Sequence, residues 1–156
     1  MSECDEIVVV SAPETLRSRQ DVPVRVGISG ATAGATGLSL HLTTFPPGGN
    51  TKPHKHVDYE TAIYGVCGSV ALFYGEWLER YVVITEGSFC FIPPGLPHKA
   101  YNLSETEVAQ FVSARNDPAD QEHVVVTPDV DGGDADHRAS LVRARHAAGN
   151  SLDPSL

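Results

Sequence analysis

Through residue 127 this chain is a succession of short stretches rich in Val, Ile, Thr, Phe and Tyr, at 7–10, 22–28, 38–45, 60–66, 69–74, 81–85, 88–92, 108–114 and 123–127. β-Branched and aromatic side chains pack well on a pleated surface, so each stretch reads as a strand. Glycine and proline punctuate them, at Pro46-Pro47-Gly48-Gly49, Gly68, Gly75, Gly87 and Pro93-Pro94-Gly95. Proline presets φ and glycine permits tight reversal, so these positions mark turns. No helical apolar period of any length interrupts the pattern before residue 130. Many short strands with regular turns indicate an all-β sandwich or barrel. No internal repeat is present, which implies one such unit.

A chain of 156 residues is long enough for one domain with its own core. We place an N-terminal arm or strand at 1–19, the barrel at 20–128, and a C-terminal segment at 129–156. From Asp129 onward the composition turns to Asp, Gly, Ala, Arg and Ser. Asp136 could cap a short helix running through Leu141, Val142 and Arg145, and a mobile tail fits the same composition. His137 and His146, in this segment, read as solvated.

Acidic residues outnumber basic ones 20 to 11, for a net charge of −9. That balance repels nucleic-acid phosphates and anionic membrane surfaces. No apolar run approaches the roughly 20 residues needed to span a bilayer. Residues 1–6 are acidic where a signal peptide would be basic, so a cytoplasmic protein is expected, acting on a small molecule rather than on nucleic acid or membrane. Cys4, Cys67 and Cys90 are odd in number and widely spaced, which excludes a disulfide framework or a paired zinc motif. Cys67 and Cys90 lie in apolar stretches and read as small buried hydrophobes.

Chemistry concentrates in two segments. One is Gly48-(five residues)-His54-Lys55-His56-(three residues)-Glu60; the other is Gly87-(five residues)-Pro93-Pro94-Gly95-Leu96-Pro97-His98-(three residues)-Asn102. Three imidazoles and one carboxylate are a suitable ligand set for a divalent transition metal. Residues two apart on a strand share a face, so His54 and His56 point the same way, and Glu60 joins them at an even offset. His98 must come from a separate strand, entered through the rigid Pro-Pro-Gly-Leu-Pro turn. A barrel interior lets such groups meet.

These segments resemble the two signature motifs of the cupin superfamily, small β-barrels of antiparallel strands with a jelly-roll-like fold. The second motif fits at Gly87, Pro93, Gly95, His98 and Asn102. The first fits at Gly48, His54, His56 and Glu60 and departs at its last position, where Cys67 stands in place of glycine, flanked by Gly65 and Gly68. The resemblance spans roughly residues 20 to 127. It implies that His54, His56, Glu60 and His98 bind one divalent metal, Fe2+, Mn2+, Zn2+ or Ni2+. It further implies a metal-dependent enzyme on a small, anionic or enolisable organic molecule. The chain is similar to the short single-domain members, which include dioxygenases and polyketide cyclases, so both oxygen-dependent oxidation and non-redox cyclisation or isomerisation are open. The alternative is a non-catalytic module binding metal and a small molecule. Family members commonly dimerise through sheet edges, which makes a homodimer the expectation, with the N-terminal strands as the pairing elements.

Strand parity nominates further residues. Tyr64 shares the parity of Glu60 and is placed facing the metal as a hydrogen-bond donor; Glu60 and Tyr64 are the candidate catalytic groups. His41, Tyr64, Phe91 and Gln110 are the candidate pocket residues. Trp77 reads as a packing or dimer-contact residue near a hairpin turn, and Arg115 as a surface salt-bridge residue, with anion binding at the barrel mouth as the alternative.

Overall fold

The alternation of buried and exposed residues is resolved by two antiparallel sheets that share one core. The computed structural model describes residues 6–121, 123–130 and 134–152, so Cys4 and residues 131–133 lie outside the described residues. The first sheet contains β1 (Thr15–Arg17), β2 (Pro23–Ile28), β3 (Ser39–Phe45), β5 (Thr61–Cys67), β8 (Phe89–Ile92) and β10 (Ala109–Arg115), in the order β1-β2-β3-β10-β5-β8. The second contains β4 (His54–His56), β6 (Ser69–Tyr74), β7 (Arg80–Thr85), β9 (His98–Asn102) and β11 (Val124–Val126), in the order β11-β4-β9-β6-β7. Chain neighbours often lie in opposite sheets, as a jelly-roll requires. The inner faces meet in a core that includes Val22, Phe45 and Phe111 from the first-sheet side and Val70, Leu72 and Ile84 from the second. Phe45 and Phe111 meet edge to face, their centroids 5.9 Å apart.

Not every β-prone stretch becomes a strand. Residues 7–10 were expected to be one, yet among the described residues they pair with no strand, and Ile7 is 96% exposed. The polar triplets β1, His54–His56 and the start of β9 do pair, because ladder hydrogen bonds depend on neighbours rather than on apolar content.

A single-turn helix, α1 (Gly30–Ala33), follows β2, and the C-terminal segment contains α2, Asp134–Ala147, lying on the outside of the second sheet. Its buried residues are small (Ala135, Ala139 and Val142), which is why the amphipathic signal in the sequence is weak. They pack against Ala71, Phe73, Tyr81, Tyr101 and Leu103. Polar ties add to this packing. Asp136 lies inside the first turn rather than capping it, and its Oδ1 accepts from Lys99 Nζ at 2.8 Å and Tyr101 OH at 2.6 Å. Arg138 donates to the carbonyls of Leu78 and Glu79, and Arg143 to that of Asn102. No described helix is long and apolar enough to cross a membrane.

One feature of the outer surface was not expected. On the solvent face of the first sheet, Phe89 sits opposite Tyr64, Phe91 opposite Ala62, Val112 opposite both Tyr64 and Leu42, and Ala114 opposite Leu40. This makes an apolar stripe across four strands, with Phe89 84% and Phe91 60% exposed.

Candidate metal centre

His54 and His56 are two apart on β4 and both turn inward, while Lys55 between them is less buried. His98 opens β9 and is the register partner of His54. The turn before it is tied down by Gly95 N–H donating to the His56 carbonyl at 2.7 Å, so the two strands carrying the imidazoles are fixed to each other. The ring centroids lie 4.2 Å (His54–His98), 4.7 Å (His56–His98) and 5.4 Å (His54–His56) apart. One nitrogen from each ring falls within 4.8 Å of the others, and all three residues are buried.

The hydrogen bonds of these rings set their chemistry. Nδ1 of His54 lies 2.8 Å from the Lys52 carbonyl, and Nδ1 of His98 lies 2.8 Å from the Leu96 carbonyl. A carbonyl can only accept, so both Nδ1 atoms carry the proton and both Nε2 atoms keep their lone pair. His56 Nδ1 is 2.8 Å from Thr61 Oγ1, a hydroxyl that can accept in the same way. Burial holds all three rings neutral: it lowers His98 to about 4 and pushes His54 and His56 far below the usual imidazole range, an effect reinforced for both by the neighbouring His98. Three neutral, oriented imidazoles with outer hydrogen bonds on Nδ1 are a donor set that could hold a divalent transition metal.

Glu60 does not join them. Its side chain is exposed, and its backbone N–H donates to Asn116 Oδ1 at 2.8 Å. The even-offset argument assumed an unbroken strand from His56 to Glu60, but the chain turns there, with Asp58 at φ +62°. Alternation restarts on β5, whose first inward residue is Thr61, 1% exposed. The glycine slot shifts by the same residue. Gly68, not Cys67, sits at φ +75°, where an added Cβ would lie 2.7 Å from the Ala109 Cβ. The first motif is therefore one residue longer than its sequence spacing suggested, and a threonine hydroxyl stands at the position assigned to the carboxylate.

The remaining candidates divide. Tyr64 and Phe91 face solvent, 42% and 60% exposed, as part of the outer stripe, so neither lines the cavity. Gln110 also faces outward and donates to Thr44 Oγ1 at 3.1 Å, alternating with Phe111 and Ser113, which do line the cavity. His41 is buried on the inner face of β3, and burial lowers it to about 4. Trp77 is exposed.

Arg115 is not at the surface, where a salt bridge would place it. It is 6% exposed, lines the same cavity as the three histidines, and is the register partner of Thr61. Its charge also contributes to the lowered pKa of His41, His54, His56 and His98. Parity could have found it, since it sits at even offsets from Phe111 and Ser113 on a strand that runs one residue further than expected. The cavity has a volume of about 70 Å³, with apolar walls from Phe45, Leu72, Ile84 and Phe111.

Residues 41–114 match the family model described as "Cupin domain". The sequence matches no curated protein. Among solved structures, the polyketide cyclase RemF from Streptomyces resistomycificus superposes with a TM-score of 0.62 at 24% identity, covering 78% of this chain and 84% of that one. An oxalate oxidase superposes with a TM-score of 0.63 at 22% identity, covering 82% and 68%. Bacillus subtilis oxalate decarboxylase, a protein with Mn(II) centres, superposes with a TM-score of 0.60 at 17% identity. This chain is 77% covered in that superposition but spans only 31% of the decarboxylase. At these identities the likeness is one of fold.

Proposed function

We propose that this chain, whose residues 41–114 match the cupin-domain model, is a metal-dependent enzyme acting on a small anionic or enolisable organic molecule, with His54, His56 and His98 holding one divalent ion. The observation that carries this reading is the convergence of three buried imidazoles, two of which, His54 and His98, hold their Nδ1 proton on a backbone carbonyl and so present a free Nε2 lone pair. Imidazole donors suit iron, nickel, copper and zinc, whereas manganese, which favours oxygen donors, would need oxygen ligands from substrate or water. A bound divalent ion supplies Lewis-acid polarisation of a carbonyl or, where redox-active, access to oxygen chemistry.

The chain's own residues do the rest. The Lys52 and Leu96 carbonyls and the Thr61 hydroxyl hold the rings in register. With no carboxylate among the three donors, the site would keep the full charge of the ion, and Arg115 adds to it. An anionic substrate is thereby attracted locally, although the protein as a whole carries −9. Apolar walls exclude water and strengthen those interactions.

The test has two stages. Protein purified without chelator is assayed for metal, and roughly one equivalent per chain is expected; no metal and no uptake on titration overturns the reading. The iron(II) and zinc forms are then incubated with enol and catechol-like compounds, with and without oxygen. Oxygen-dependent consumption by the iron form selects oxidation, and conversion without oxygen selects cyclisation or isomerisation. Binding without turnover of any compound leaves a binding module instead. The stripe centred on Phe89 and Phe91 supports a homodimer through the outer face of the first sheet.

A further inference from the structure

Four residues on the inner faces of β3 and β10 form a block of unsatisfied polar groups. Ser113 is the register partner of His41, and Arg115 of Ser39, so the four side chains lie two by two on adjacent strands. All four are buried. Ser39 Oγ, both ring nitrogens of His41, Ser113 Oγ and Arg115 Nε have no hydrogen-bond partner among the described residues. Leaving a buried polar atom unpaired costs about 1–3 kcal/mol, so such atoms are normally few and scattered. Here they cluster, and Ser113 and Arg115 open onto the cavity beside the histidines.

The charge balance of the cluster is one-sided. The guanidinium is held by Nη1 donating to the Asp120 carbonyl at 3.3 Å and by the face of Tyr59, 5.6 Å away. Asp117, the carboxylate whose charge reaches Arg115, is occupied with His123 Nδ1 at 2.6 Å and Ala119 N–H at 3.1 Å. Buried cations are ordinarily paired, and among the described residues no carboxylate is in contact with this one.

We propose that Arg115 and Ser113 form a carboxylate-binding subsite, so that the substrates of this protein are small carboxylic acids anchored by their carboxylate beside the imidazole cluster. Guanidinium N–H groups and a hydroxyl are the donors that two carboxylate oxygens accept, and guanidinium geometry matches the carboxylate plane. The volume of about 70 Å³ restricts the anchored part to a few non-hydrogen atoms. This assignment deepens the proposed function by naming the substrate class, and as a substrate site it rests on that reading. Carboxylate binding itself needs no metal.

The experiment uses the full chain, freed of metal with chelator, titrated calorimetrically with propionate and with its neutral isostere propionamide. Propionate is expected to bind at least about tenfold more tightly, the worth of one charge-assisted hydrogen bond. Arg115→Gln should abolish the preference, Arg115→Lys should restore part of it, and Ser113→Ala should weaken it. Zinc binding should persist in all three variants, and it should tighten in Arg115→Gln, which removes a positive charge that acts on the histidine cluster. Equal binding of acid and amide by the wild type overturns the proposal, and that measurement needs no variant to fold. Preference retained in Arg115→Gln overturns it as well. Failure of the metal reading shows separately, as absent zinc uptake in protein that still prefers propionate.

Discussion

Replacing Glu60, Thr61 and His98 in turn separates the ligand set read from the sequence from the one the structure forms. Glu60→Ala removes an exposed carboxylate whose residue is tied to the fold through its backbone N–H, so metal affinity should change by no more than about twofold, the usual effect of a surface substitution. Thr61→Val keeps the shape of a side chain that is 1% exposed and deletes the hydroxyl that orients His56. Losing such an outer partner costs roughly 10–100-fold in metal affinity. His98→Ala deletes a donor outright. Four-ligand zinc sites in small domains contribute about 10–16 kcal/mol, or roughly 3 kcal/mol per ligand, so the loss should be on the order of 100-fold or more. The assay is competition for Zn2+ against a chromophoric chelator, with circular dichroism confirming that each variant is folded. The expected order of loss is Glu60→Ala, then Thr61→Val, then His98→Ala. If Glu60→Ala loses as much affinity as His98→Ala, the three-histidine site is wrong.

Other outcomes follow from the same geometry. The metal-free protein should lose stability as pH falls from about 6.5 toward 4: His41 and His98 take up a proton near 6.5 when unfolded but only near 4 when folded, so the unfolded state binds more protons in that window. Each fully effective histidine contributes on the order of 3 kcal/mol, and a urea midpoint that stays flat between pH 7 and pH 5, roughly that window, would refute the neutral assignment. Asn102→Ala should cost about 3 kcal/mol, lowering Tm by roughly 10 °C, because the Asn102 amide reaches the carbonyls of Phe45, Pro46 and Glu107 and accepts from Ser104 N–H; an unchanged Tm in a thermal melt contradicts this. Phe89→Glu with Phe91→Glu should convert a species of twice the monomer mass in light scattering to the monomer without loss of metal binding, and a wild type that is already monomeric removes the basis for the dimer.

The line between what was legible and what was not follows physical range. Period-two patterning and Gly/Pro turns are local signals, so the strands, the all-β class and the inward pairing of His54 with His56 could be read directly. His98 was legible because its turn is built from residues whose backbone preferences are intrinsic. Glu60 was not, because a single left-handed residue at Asp58 resets the alternation, and nothing in the composition of Val57-Asp58-Tyr59 announces where the next strand begins. The same uncertainty put Tyr64, Phe91 and Gln110 inside when they lie outside, since parity says which residues share a face but not which face is covered.

By itself, then, the sequence determined that strands would form, roughly where they turn, and that three imidazoles would be available to one ion. Only the tertiary structure decided that Thr61 replaces a carboxylate beside them, that Arg115 is buried in their cavity rather than salt-bridged at the surface, and that α2 docks through Ala135, Ala139 and Val142. Those outcomes depend on which sheet faces close over one another, and burial is a property of the assembled pair of sheets rather than of either strand's residues.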